Sequence, residues 1–558
     1  MPSSTLVVHA LLSCPPSDLL ARRLPVHQAG DAALRTFYDL LAAHLEDFPC
    51  AFKMGTIKKH ILVVGAGMSG LTAIKACKEE NIDVICYEKS GELGGLWRYQ
   101  ESSSDAYTSV MKNTISNTSK EMSAFSDFPP PAQFPTYLHH TMCLKYLEMY
   151  AENFDLLGSI SYYQEVLEII PSEDYGTTGK WLVKVRNLRS DATREEIFDG
   201  VMVCIGHHGC PYTPSYPNLD LFTGPTLHSS NYKSSSGMEN LRVLVVGAGN
   251  SGCDIAAELA NVAKKVYLST RRGAWIYPRL FKKGKPMDVT LTRRCNMVLP
   301  PSYFAKRVEK TLNKKMDHTR FGIKPHHSVT SQHPTISDEI QYRLLTGSVI
   351  AKKDVKEFFQ NGVLFDGDEE MTTIDAVIFA TGFYIKFPFL TDDILRVGKN
   401  NKVLLFKNMF PPQLKHHSLA VIGLIQPSGS LFPVAELQSR CFAALMTGKC
   451  QLPSTEKMLA CVRATEGFRA RNYVQSSRHS VEAPYIAYMD DLAGMFGVKP
   501  NWAAFMLKDP KLLKACFFGP CLPYQYRLNG THKWEGARDA ILNYKKRMYD
   551  HLRNGREN

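Results

Sequence analysis

Two glycine clusters in this sequence have the residue types and the spacing to bind the pyrophosphate of a dinucleotide. The first cluster has the pattern G-x-G-x-x-G and consists of Gly65, Ala66, Gly67, Met68, Ser69 and Gly70. In this pattern the first glycine allows a tight turn, the second lets a pyrophosphate approach the backbone, and the third lets a helix pack closely on the preceding strand. The start of that helix offers free N–H groups and a positive dipole end to the phosphates.

The segments around this first cluster predict a strand, a loop, a helix and a second strand. Residues 61–64 form an apolar run rich in β-branched residues, which is typical of a buried parallel strand. Good helix formers occupy residues 71–80, and a second apolar run ends at Glu88. Glu88 lies about 20 residues after the loop, where an acid can accept hydrogen bonds from an adenosine ribose. We therefore predict a dinucleotide site rather than a purely structural glycine turn.

Two further stretches contain candidate binding residues. Gly95 follows Glu88 closely and would let a ligand approach the backbone, while Leu96 and Trp97 would cover it with apolar surface. An ordinary core position is the alternative for Trp97. Residues 113–121 are polar in a hydrophobic neighbourhood, and their central residues are Ser116, Asn117 and Thr118. A simple hydrogen-bonded turn is the alternative for this stretch.

The second glycine cluster repeats the first pattern but ends differently. It consists of Gly247, Ala248, Gly249, Asn250, Ser251 and Gly252, and it continues into Cys253 and Asp254. No acid stands at the position that corresponds to Glu88, and Arg271 and Arg272 follow instead. Arginine suits a ribose 2′-phosphate because it forms charge-assisted and often bidentate hydrogen bonds. A solvated loop is the alternative. We predict NADPH at the second site and a flavin dinucleotide, FAD, at the first.

The predicted fold class is α/β, with two Rossmann-like dinucleotide-binding domains and a mainly helical insertion. Residues 1–53 differ in composition from the rest of the chain and are predicted to be an extension of unknown role. We expect the first part of the FAD domain at residues 54–210 and the NADPH domain at residues 211–383. The helical insertion is expected at about residues 280–345, and the FAD-domain return with a C-terminal region at residues 384–558.

Composition and charge exclude several classes of function. The net charge of +12 suits anionic cofactors and anionic membrane surfaces, but no dense Lys/Arg stripe with interleaved aromatic residues favours nucleic acid. The 14 cysteines have no C-x-x-C pair and no zinc-finger spacing, so we expect no metal site and reduced thiols. No run of 18 apolar residues predicts a membrane-spanning helix.

The motifs together resemble the vertebrate flavin-containing monooxygenases from Met54 to about Arg547. The resemblance is carried by GAGMSG, EKSGELGGLW, SNTSKEMSAFSDFP, GAGNSGCDIA, VIFATGF and KWEGARDAIL, and by an F-x-G-x-x-x-H-x-x-x-Y motif that begins at Phe222. STRRGAW and SQHPT are most similar to the isoform-five branch.

This resemblance implies a reaction of FAD, NADPH and molecular oxygen. NADPH would reduce the flavin, and oxygen would then give a flavin C4a-hydroperoxide that oxygenates nitrogen or sulfur of small lipophilic compounds. Asn117 is implied as the residue beside flavin and nicotinamide, where a neutral amide donates hydrogen bonds without supplying an acidic proton. The resemblance also implies attachment to the endoplasmic reticulum membrane, facing the cytosol. The family's usual apolar C-terminal tail does not follow YDHLRNGREN here, so we expect peripheral attachment.

Three other interpretations remain open from the sequence. Baeyer–Villiger oxygenation of ketones, suggested by the isoform-five resemblance, would use the same cofactors. Flavoprotein disulfide reduction would need a redox cysteine pair close to the flavin, and Cys516 and Cys521 lie far from the first glycine cluster in the sequence. A non-catalytic flavin-binding relative is the third possibility, and NADPH would then fail to bleach the bound flavin.

Overall fold

The computed structural model of the chain describes residues 58–101, 108–476 and 478–553. The predicted N-terminal extension at residues 1–53 lies outside this part of the chain. Within the described residues, no helix is long and apolar enough to cross a membrane.

The described elements alternate between strands and helices through both glycine clusters. The strands are β1 His60–Val64, β2 Asp83–Glu88, β3 Ile160–Tyr162, β4 Gln164–Pro171, β5 Trp181–Asn187, β6 Thr193–Phe198, β7 Gly200–Val203, β8 Cys210–Pro211, β9 Thr226–His228, β10 Arg242–Val246, β11 Lys265–Ser269, β12 Ile276–Tyr277, β13 Thr335–Ile336, β14 Val349–Lys352, β15 Val355–Phe359, β16 Gly362–Phe365, β17 Thr372–Thr373, β18 Ala376–Phe379, β19 Phe383–Tyr384, β20 Val397–Gly398, β21 Lys402–Val403, β22 Leu419–Val421, β23 Gln426–Pro427 and β24 Glu482–Ala483. The α-helices are α1 Met68–Glu79, α2 His140–Asn153, α3 Tyr175–Thr178, α4 Asn250–Leu259, α5 Met287–Leu291, α6 Arg294–Met297, α7 Pro301–Asn313, α8 Ile340–Leu345, α9 Leu431–Met446, α10 Thr455–Asn472, α11 Tyr485–Gly494, α12 Trp502–Lys508, α13 Pro510–Phe518 and α14 Ala537–Met548.

The first glycine cluster lies at the end of the central strand of a five-stranded parallel sheet. The strand order is β22-β7-β1-β2-β3, and β1 pairs in parallel with both β2 and β7. Successive side chains of β1 point to opposite faces of the sheet. Ile61 and Val63 pack against helices α1 and α9, whereas Leu62 and Val64 pack against the antiparallel sheet β4-β5-β6. Burial on both faces explains the continuous apolar run.

The second glycine cluster repeats this arrangement in a second five-stranded parallel sheet. Its strand order is β14-β11-β10-β18-β9, and β10 pairs with β11 and β18. Val243 and Val245 pack with helix α4, and Leu244 and Val246 pack against the small antiparallel sheet β15-β16-β17. The predicted α/β fold with two Rossmann-like units is thereby confirmed.

The insertion at residues 280–345 is less regular than the sequence predicts. Helices α5, α6, α7 and α8 lie in it, but residues 314–334 contain neither helix nor strand. Gly322, Pro325 and Pro334 fall in this irregular stretch, and such residues interrupt helices. After the second unit the chain returns through β22 to the edge of the first sheet.

Candidate functional site

The first glycine loop is held so tightly that only glycine fits at its two ends. Gly65 has a positive φ of 98°, which side chains rarely adopt. A Cβ atom on Gly70 would lie 1.8 Å from the carbonyl oxygen of Gly65, so the helix start packs directly on the loop. The backbone N–H of Gly94 donates to the carbonyl oxygen of Ala66 over 3.0 Å. A second glycine turn is therefore fixed against the first.

The backbone of this second turn lies against the backbone in the middle of the loop, with no side chain between them. A Cβ atom on Gly95 would lie 3.1 Å from the Cα atom of Gly67, and one on Gly67 would lie 3.7 Å from the Cα atom of Gly95. Larger side chains at either position would occupy the space between the two turns. The two glycines thus form a cradle that a phosphate group can enter without meeting a side chain.

The carboxylate of Glu88 organises the same loop at the end of β2. Its Oε2 accepts a hydrogen bond from the backbone N–H of Ala66 over 2.6 Å, and its Oε1 accepts one from the backbone N–H of Ser90 over 2.7 Å. A carboxylate has about four lone-pair positions, so two remain for ribose hydroxyl groups. Glu88 is half-buried and lines the cavity that opens over the loop.

This cavity over the first glycine loop has a volume of about 540 Å³. The volume lies in the range typical of small-molecule and cofactor sites. The predicted residues that line it are Gly65, Gly67, Met68, Ser69, Glu88, Gly95, Leu96 and Trp97. Ala66 and Gly70 do not line it, and they contribute through their backbone contacts within the loop. The glycine cradle and the ribose acceptor together fit a dinucleotide in this cavity.

The remaining walls of the cavity come from segments distant in the sequence. Residues 204–210 follow β7, and an apolar group of side chains includes Ile205, Tyr384, Phe389 and Leu431. Two cysteines, Cys204 and Cys210, also line the cavity, and both are free thiols. Burial raises the pKa of Cys204 well above its ordinary value, which makes it a poor thiolate nucleophile. This environment does not favour disulfide reduction.

Asn117 does not line this cavity but contacts a residue of the second unit. Its side-chain oxygen accepts a hydrogen bond from Nη2 of Arg279 over 3.0 Å. Arg279 also donates to the carbonyl oxygens of Ile115 and Ser116 and forms an ion pair of 3.3 Å with Asp338. With its oxygen bound by Arg279, the amide of Asn117 keeps its N–H₂ group for other partners.

The neighbours of Asn117 are part of a hydrogen-bonded turn. Ser116 is buried, its hydroxyl donates to the carbonyl oxygen of Thr118, and it accepts from the backbone N–H of Leu138. The hydroxyl of Thr118 lies 2.6 Å from that of Ser123. Neither side chain lines the cavity, and the assignment of Ser116 and Thr118 as cofactor ligands stays a prediction.

The second glycine loop has the same local geometry as the first. Gly247 has a φ of 109°, and a Cβ atom on Gly252 would lie 1.8 Å from the carbonyl oxygen of Gly247. Asn250 is bound to the insertion, since its Oδ1 accepts a hydrogen bond from the backbone N–H of Ile336 over 2.7 Å. Ser251 is exposed at the start of α4, and Cys253 is fully buried beneath it.

The side chain of an arginine that is not among the predicted site residues lies over this second loop. A Cβ atom on Gly249 would lie 2.4 Å from Nη2 of Arg478. Desolvation and then the charge of Arg271 lower the pKa of Arg478, which places the two guanidinium groups within electrostatic reach of each other. Among the described residues no carboxylate oxygen lies within 4.0 Å of Arg271, Arg272 or Arg478. Neighbouring cations with no carboxylate oxygen this close form a site suited to phosphate groups.

Asp254 lies in α4, behind the second loop, and has an unusual proton affinity. Burial raises its pKa to about 7, while the charge of Arg279 acts in the opposite direction and Glu339 and Asp338 add to the rise. Asp254 therefore does not supply a fully ionised carboxylate near neutral pH. The assignment of Asp254 as a cofactor-binding residue stays a prediction.

This raised pKa leads to a prediction on stability. The folded state binds the proton of Asp254 more tightly than the unfolded state does. The stability of the folded state therefore falls as pH rises from about 4 to about 7, and it stays lower above about pH 7. Asp254→Asn should therefore be more stable than the wild type by about 2 kcal/mol at about pH 8, and the difference should shrink at about pH 5. Urea unfolding at both pH values measures this difference. Asp220→Asn, at an exposed site, should change stability at neither, and a pH-independent effect of Asp254→Asn would contradict the assignment.

Arg279 and Arg478 are not among the predicted site residues, because no motif or spacing in the sequence distinguishes them. Each acts from an irregular segment far from the glycine loop or turn that it contacts. A weak signal for Arg478 is the arginine-histidine-serine stretch just before Glu482, which has no apolar periodicity. Among the described residues no group of three or more His, Cys, Asp or Glu side chains is arranged to hold a metal ion.

Comparisons with known proteins agree over nearly the whole chain. A family model described as flavin-binding monooxygenase-like matches residues 58–557. Flavin-containing monooxygenase 5 of Cavia porcellus is 43% identical over 502 residues, which cover 89% of this chain and 93% of that protein. Dimethylaniline monooxygenase [N-oxide-forming] 2 of Rattus norvegicus is 40% identical over 501 residues, with 89% and 93% covered. The solved S-allyl-L-cysteine S-oxygenase from Allium sativum shares the fold with a TM-score of 0.62 at 22% identity, over 88% of this chain and all of that one.

Proposed function

Because the chain belongs to the flavin-binding monooxygenase family, we propose that it oxygenates nitrogen or sulfur atoms of small lipophilic compounds with NADPH and molecular oxygen. The cofactors of this flavoprotein monooxygenase are FAD and NADP(H). The observation that carries the assignment of sites is the difference between the two glycine loops. One has a carboxylate at its ribose position, and the other has arginines with no carboxylate oxygen within 4.0 Å among the described residues.

The first loop and its cavity are assigned to FAD. The cradle of Gly67 and Gly95 takes the pyrophosphate, and Glu88 takes the adenosine ribose through its remaining lone pairs. When bound, FAD supplies the chemistry of electron transfer and oxygen activation. The protein supplies the apolar wall of Ile205, Phe389 and Leu431, which keeps water from the reacting atoms.

The second loop is assigned to NADPH. Gly247 and Gly252 hold the backbone turn, and the pyrophosphate would lie over Gly249, where Arg478 now stands. Arg271 follows the end of β11 and is exposed, as is Arg272. A 2′-phosphate between these cations would relieve their mutual repulsion and form charge-assisted hydrogen bonds.

Removing the two exposed arginines should change the choice of cofactor. The double variant Arg271→Ala, Arg272→Ala should raise the KM for NADPH about tenfold or more and leave the KM for NADH nearly unchanged, since one charge-assisted contact is worth roughly 1.5–3 kcal/mol. Steady-state oxidation of both cofactors measures this. Arg396→Ala, at a side chain that is 79% exposed, is the matched control. An unchanged NADPH/NADH preference in the double variant would overturn the assignment.

The substrate class rests on the relatives and on the character of the cavity wall. Two relatives carry the names flavin-containing monooxygenase 5 and dimethylaniline monooxygenase [N-oxide-forming] 2, and the second names an N-oxide product. The apolar side chains around the cavity suit uncharged, lipophilic molecules. Oxygen transfer to such a nucleophile needs no acidic group, and Asn117 offers a neutral donor in place of an acid.

Product analysis with three substrates tests this class. Purified protein loaded with FAD is supplied with NADPH, oxygen and, in separate reactions, a tertiary amine, a thioether and a ketone. We expect an N-oxide from the amine and a sulfoxide from the thioether. An ester from the ketone alone would replace the proposal with Baeyer–Villiger oxygenation. Failure of NADPH to bleach the flavin absorption would mean that the chain binds flavin without catalysis.

A second proposal concerns attachment of the protein to the cytosolic face of the endoplasmic reticulum membrane. An apolar patch of exposed side chains lies on neighbouring helices of the insertion and the C-terminal region, and we define it as Met297, Val298, Met506, Leu507 and Phe518. Residues 293 and 520 form a β-bridge that brings α6 next to the end of α13. Three exposed lysines, Lys508, Lys511 and Lys514, flank the patch. Apolar tips with flanking cations suit an anionic lipid surface.

Flotation with lipid vesicles tests this attachment. Wild-type protein should float with vesicles that contain anionic lipid, and high salt should release part of it because salt screens the lysine contribution. Leu507→Asp should reduce flotation several-fold, since this side chain is 80% exposed and becomes charged. Leu345→Asp, which is 66% exposed outside the patch, is the control. Equal flotation of both variants and the wild type would contradict the proposal.

A further inference from the structure

A fully buried carboxylate without a hydrogen-bond donor lies outside the two glycine loops. Glu482 forms β24 with Ala483, and its side chain has no exposure to solvent. Among the described residues neither carboxylate oxygen has a hydrogen-bond partner. Nδ1 of His333 is 3.7 Å from Oε1, which is beyond hydrogen-bond distance. Burying an anion without donors is costly, so its acceptor positions are suited to a donor from a ligand.

Two basic side chains near Glu482, those of Arg469 and His479, bind other groups, whereas Nδ1 of His333 has no hydrogen-bond partner among the described residues. Arg469 donates through Nε to the backbone carbonyl oxygen of Glu482 over 3.0 Å, and its other nitrogens bind Glu466 and Asn408. His479 has its Nδ1 within 2.9 Å of the hydroxyl of Ser476. These hydrogen bonds of Arg469 and His479 leave both carboxylate oxygens of Glu482 without a donor.

On one side, Glu482 lies near the flavin cavity, although it does not itself line the cavity. β24 pairs in parallel with β23, which begins three residues after Gly423, a residue that lines the cavity. His207 lines the same cavity, and burial lowers its pKa to about 4 while the charge of Glu482 acts against that shift. The carboxylate is thus within electrostatic reach of the cavity wall.

On the other side, Glu482 borders the second glycine loop. Arg478, whose side chain lies over Gly249, is four residues before Glu482 in the sequence. The charge of Glu482 acts on the guanidinium of Arg478. The aliphatic part of Arg478 also lies against the turn at Gly382, where a Cβ atom would be 3.6 Å from its Cγ. Glu482 therefore lies within electrostatic reach both of the arginine at the pyrophosphate position proposed for one cofactor and of the cavity wall of the other.

The geometry points to Glu482 as the acceptor for a hydrogen-bond donor on the nicotinamide riboside half of bound NADP(H). This inference rests on the proposed assignment of NADPH to the second loop. A cofactor whose pyrophosphate lies over Gly249 and whose nicotinamide reaches the flavin would extend toward the region of this carboxylate. The donors on that half are the carboxamide N–H groups and the ribose hydroxyl groups, and both satisfy a carboxylate. Glu482 is a positioning residue that orients the nicotinamide toward the flavin.

Equilibrium binding to the FAD-loaded protein tests the inference without turnover. Isothermal titration calorimetry measures Kd for NADP⁺ and for adenosine 2′,5′-bisphosphate, which lacks the nicotinamide half. Glu482→Leu should weaken NADP⁺ about tenfold or more, and Glu482→Gln, which keeps a neutral acceptor and the same shape, about threefold. Both variants should bind the bisphosphate as the wild type does. Glu369→Gln, at an exposed glutamate, should change neither ligand.

The outcomes separate this inference from the proposed function. NADP⁺ binding within twofold of wild type in Glu482→Gln and Glu482→Leu would overturn it, even in an enzyme that oxygenates amines normally. Equal weakening of both ligands would also overturn it, because the effect would then not reside in the nicotinamide half. If Glu482→Leu does not retain FAD, Glu482→Gln alone decides.

A cofactor analogue identifies which donor is used. The 3-acetylpyridine analogue of NADP⁺ keeps the carbonyl group but has no N–H donor. If the carboxamide is the donor, the wild type should bind this analogue several-fold more weakly than NADP⁺, and Glu482→Leu should bind the two alike. If a ribose hydroxyl is the donor, the ratio between the two ligands should be the same in wild type and variant while both bind the variant more weakly.

Discussion

Protein that carries Gly67→Val should be purified without flavin. The valine side chain would extend into the cradle between Gly67 and Gly95, where the Cα atom of Gly95 is only 3.7 Å from a Cβ atom on Gly67. The pyrophosphate of FAD would then meet a side chain where it needs bare backbone. We expect the ratio of flavin to protein, measured by absorption, to fall to about a tenth of wild type or less.

A second glycine provides the control for this experiment. Gly158 has no atom within 4 Å of its Cβ position and no positive φ, so Gly158→Val should keep its full flavin content. Circular dichroism of both variants shows whether the fold persists. A folded Gly67→Val protein with the wild-type amount of FAD would show that residues 65–70 are not the flavin loop.

Loss of the amide of Asn117 should uncouple NADPH oxidation from oxygenation of the substrate. Asn117→Leu removes both the N–H₂ donor and the oxygen that Arg279 binds, with little change in volume. FAD should still bind, because the glycine cradle and Glu88 hold its distant end. The lost donor is worth about 1 kcal/mol or more in the oxygen-transfer step, so product formed per NADPH consumed should fall about fivefold or more. Hydrogen peroxide should rise correspondingly.

Asn117→Asp separates the donor from the contact with Arg279. Aspartate keeps the shape and an oxygen for Arg279, so the link between the two units should persist, but it has no N–H donor. We expect this variant to be uncoupled as strongly as Asn117→Leu. If Asn117→Asp retains wild-type coupling, Asn117 acts by holding Arg279 and not by donating a hydrogen bond.

The parts of the fold that depend on local pattern can be predicted from the sequence. The apolar runs before both glycine loops are strands buried on two faces, and the third glycine of each motif packs the helix on its loop at a distance that excludes any side chain. The position of Glu88 beside the loop follows from its spacing, although its hydrogen bonds to Ala66 and Ser90 do not. These features depend on neighbours along the chain, which is why one sequence suffices.

The parts of the site that depend on long-range packing cannot be predicted in this way. Arg478 reaches Gly249, and Arg279 reaches Asn117, across more than a hundred residues of chain. No spacing or periodicity connects such pairs, and their meeting depends on the relative placement of separate packed units. Within the predicted helical insertion, helices α5 to α8 are present, but residues 314–334 contain neither helix nor strand, and the glycine and prolines in that stretch interrupt a helix.

Transfer of one oxygen atom from dioxygen to substrate tests the account most directly. FAD-loaded protein is incubated with NADPH, a tertiary amine and isotopically labelled dioxygen, and the N-oxide is examined by mass spectrometry while NADPH consumption is followed. We expect one labelled oxygen atom in each N-oxide molecule and close to one NADPH consumed per product. Unlabelled product, or NADPH consumption that yields only hydrogen peroxide in wild-type protein, would contradict it.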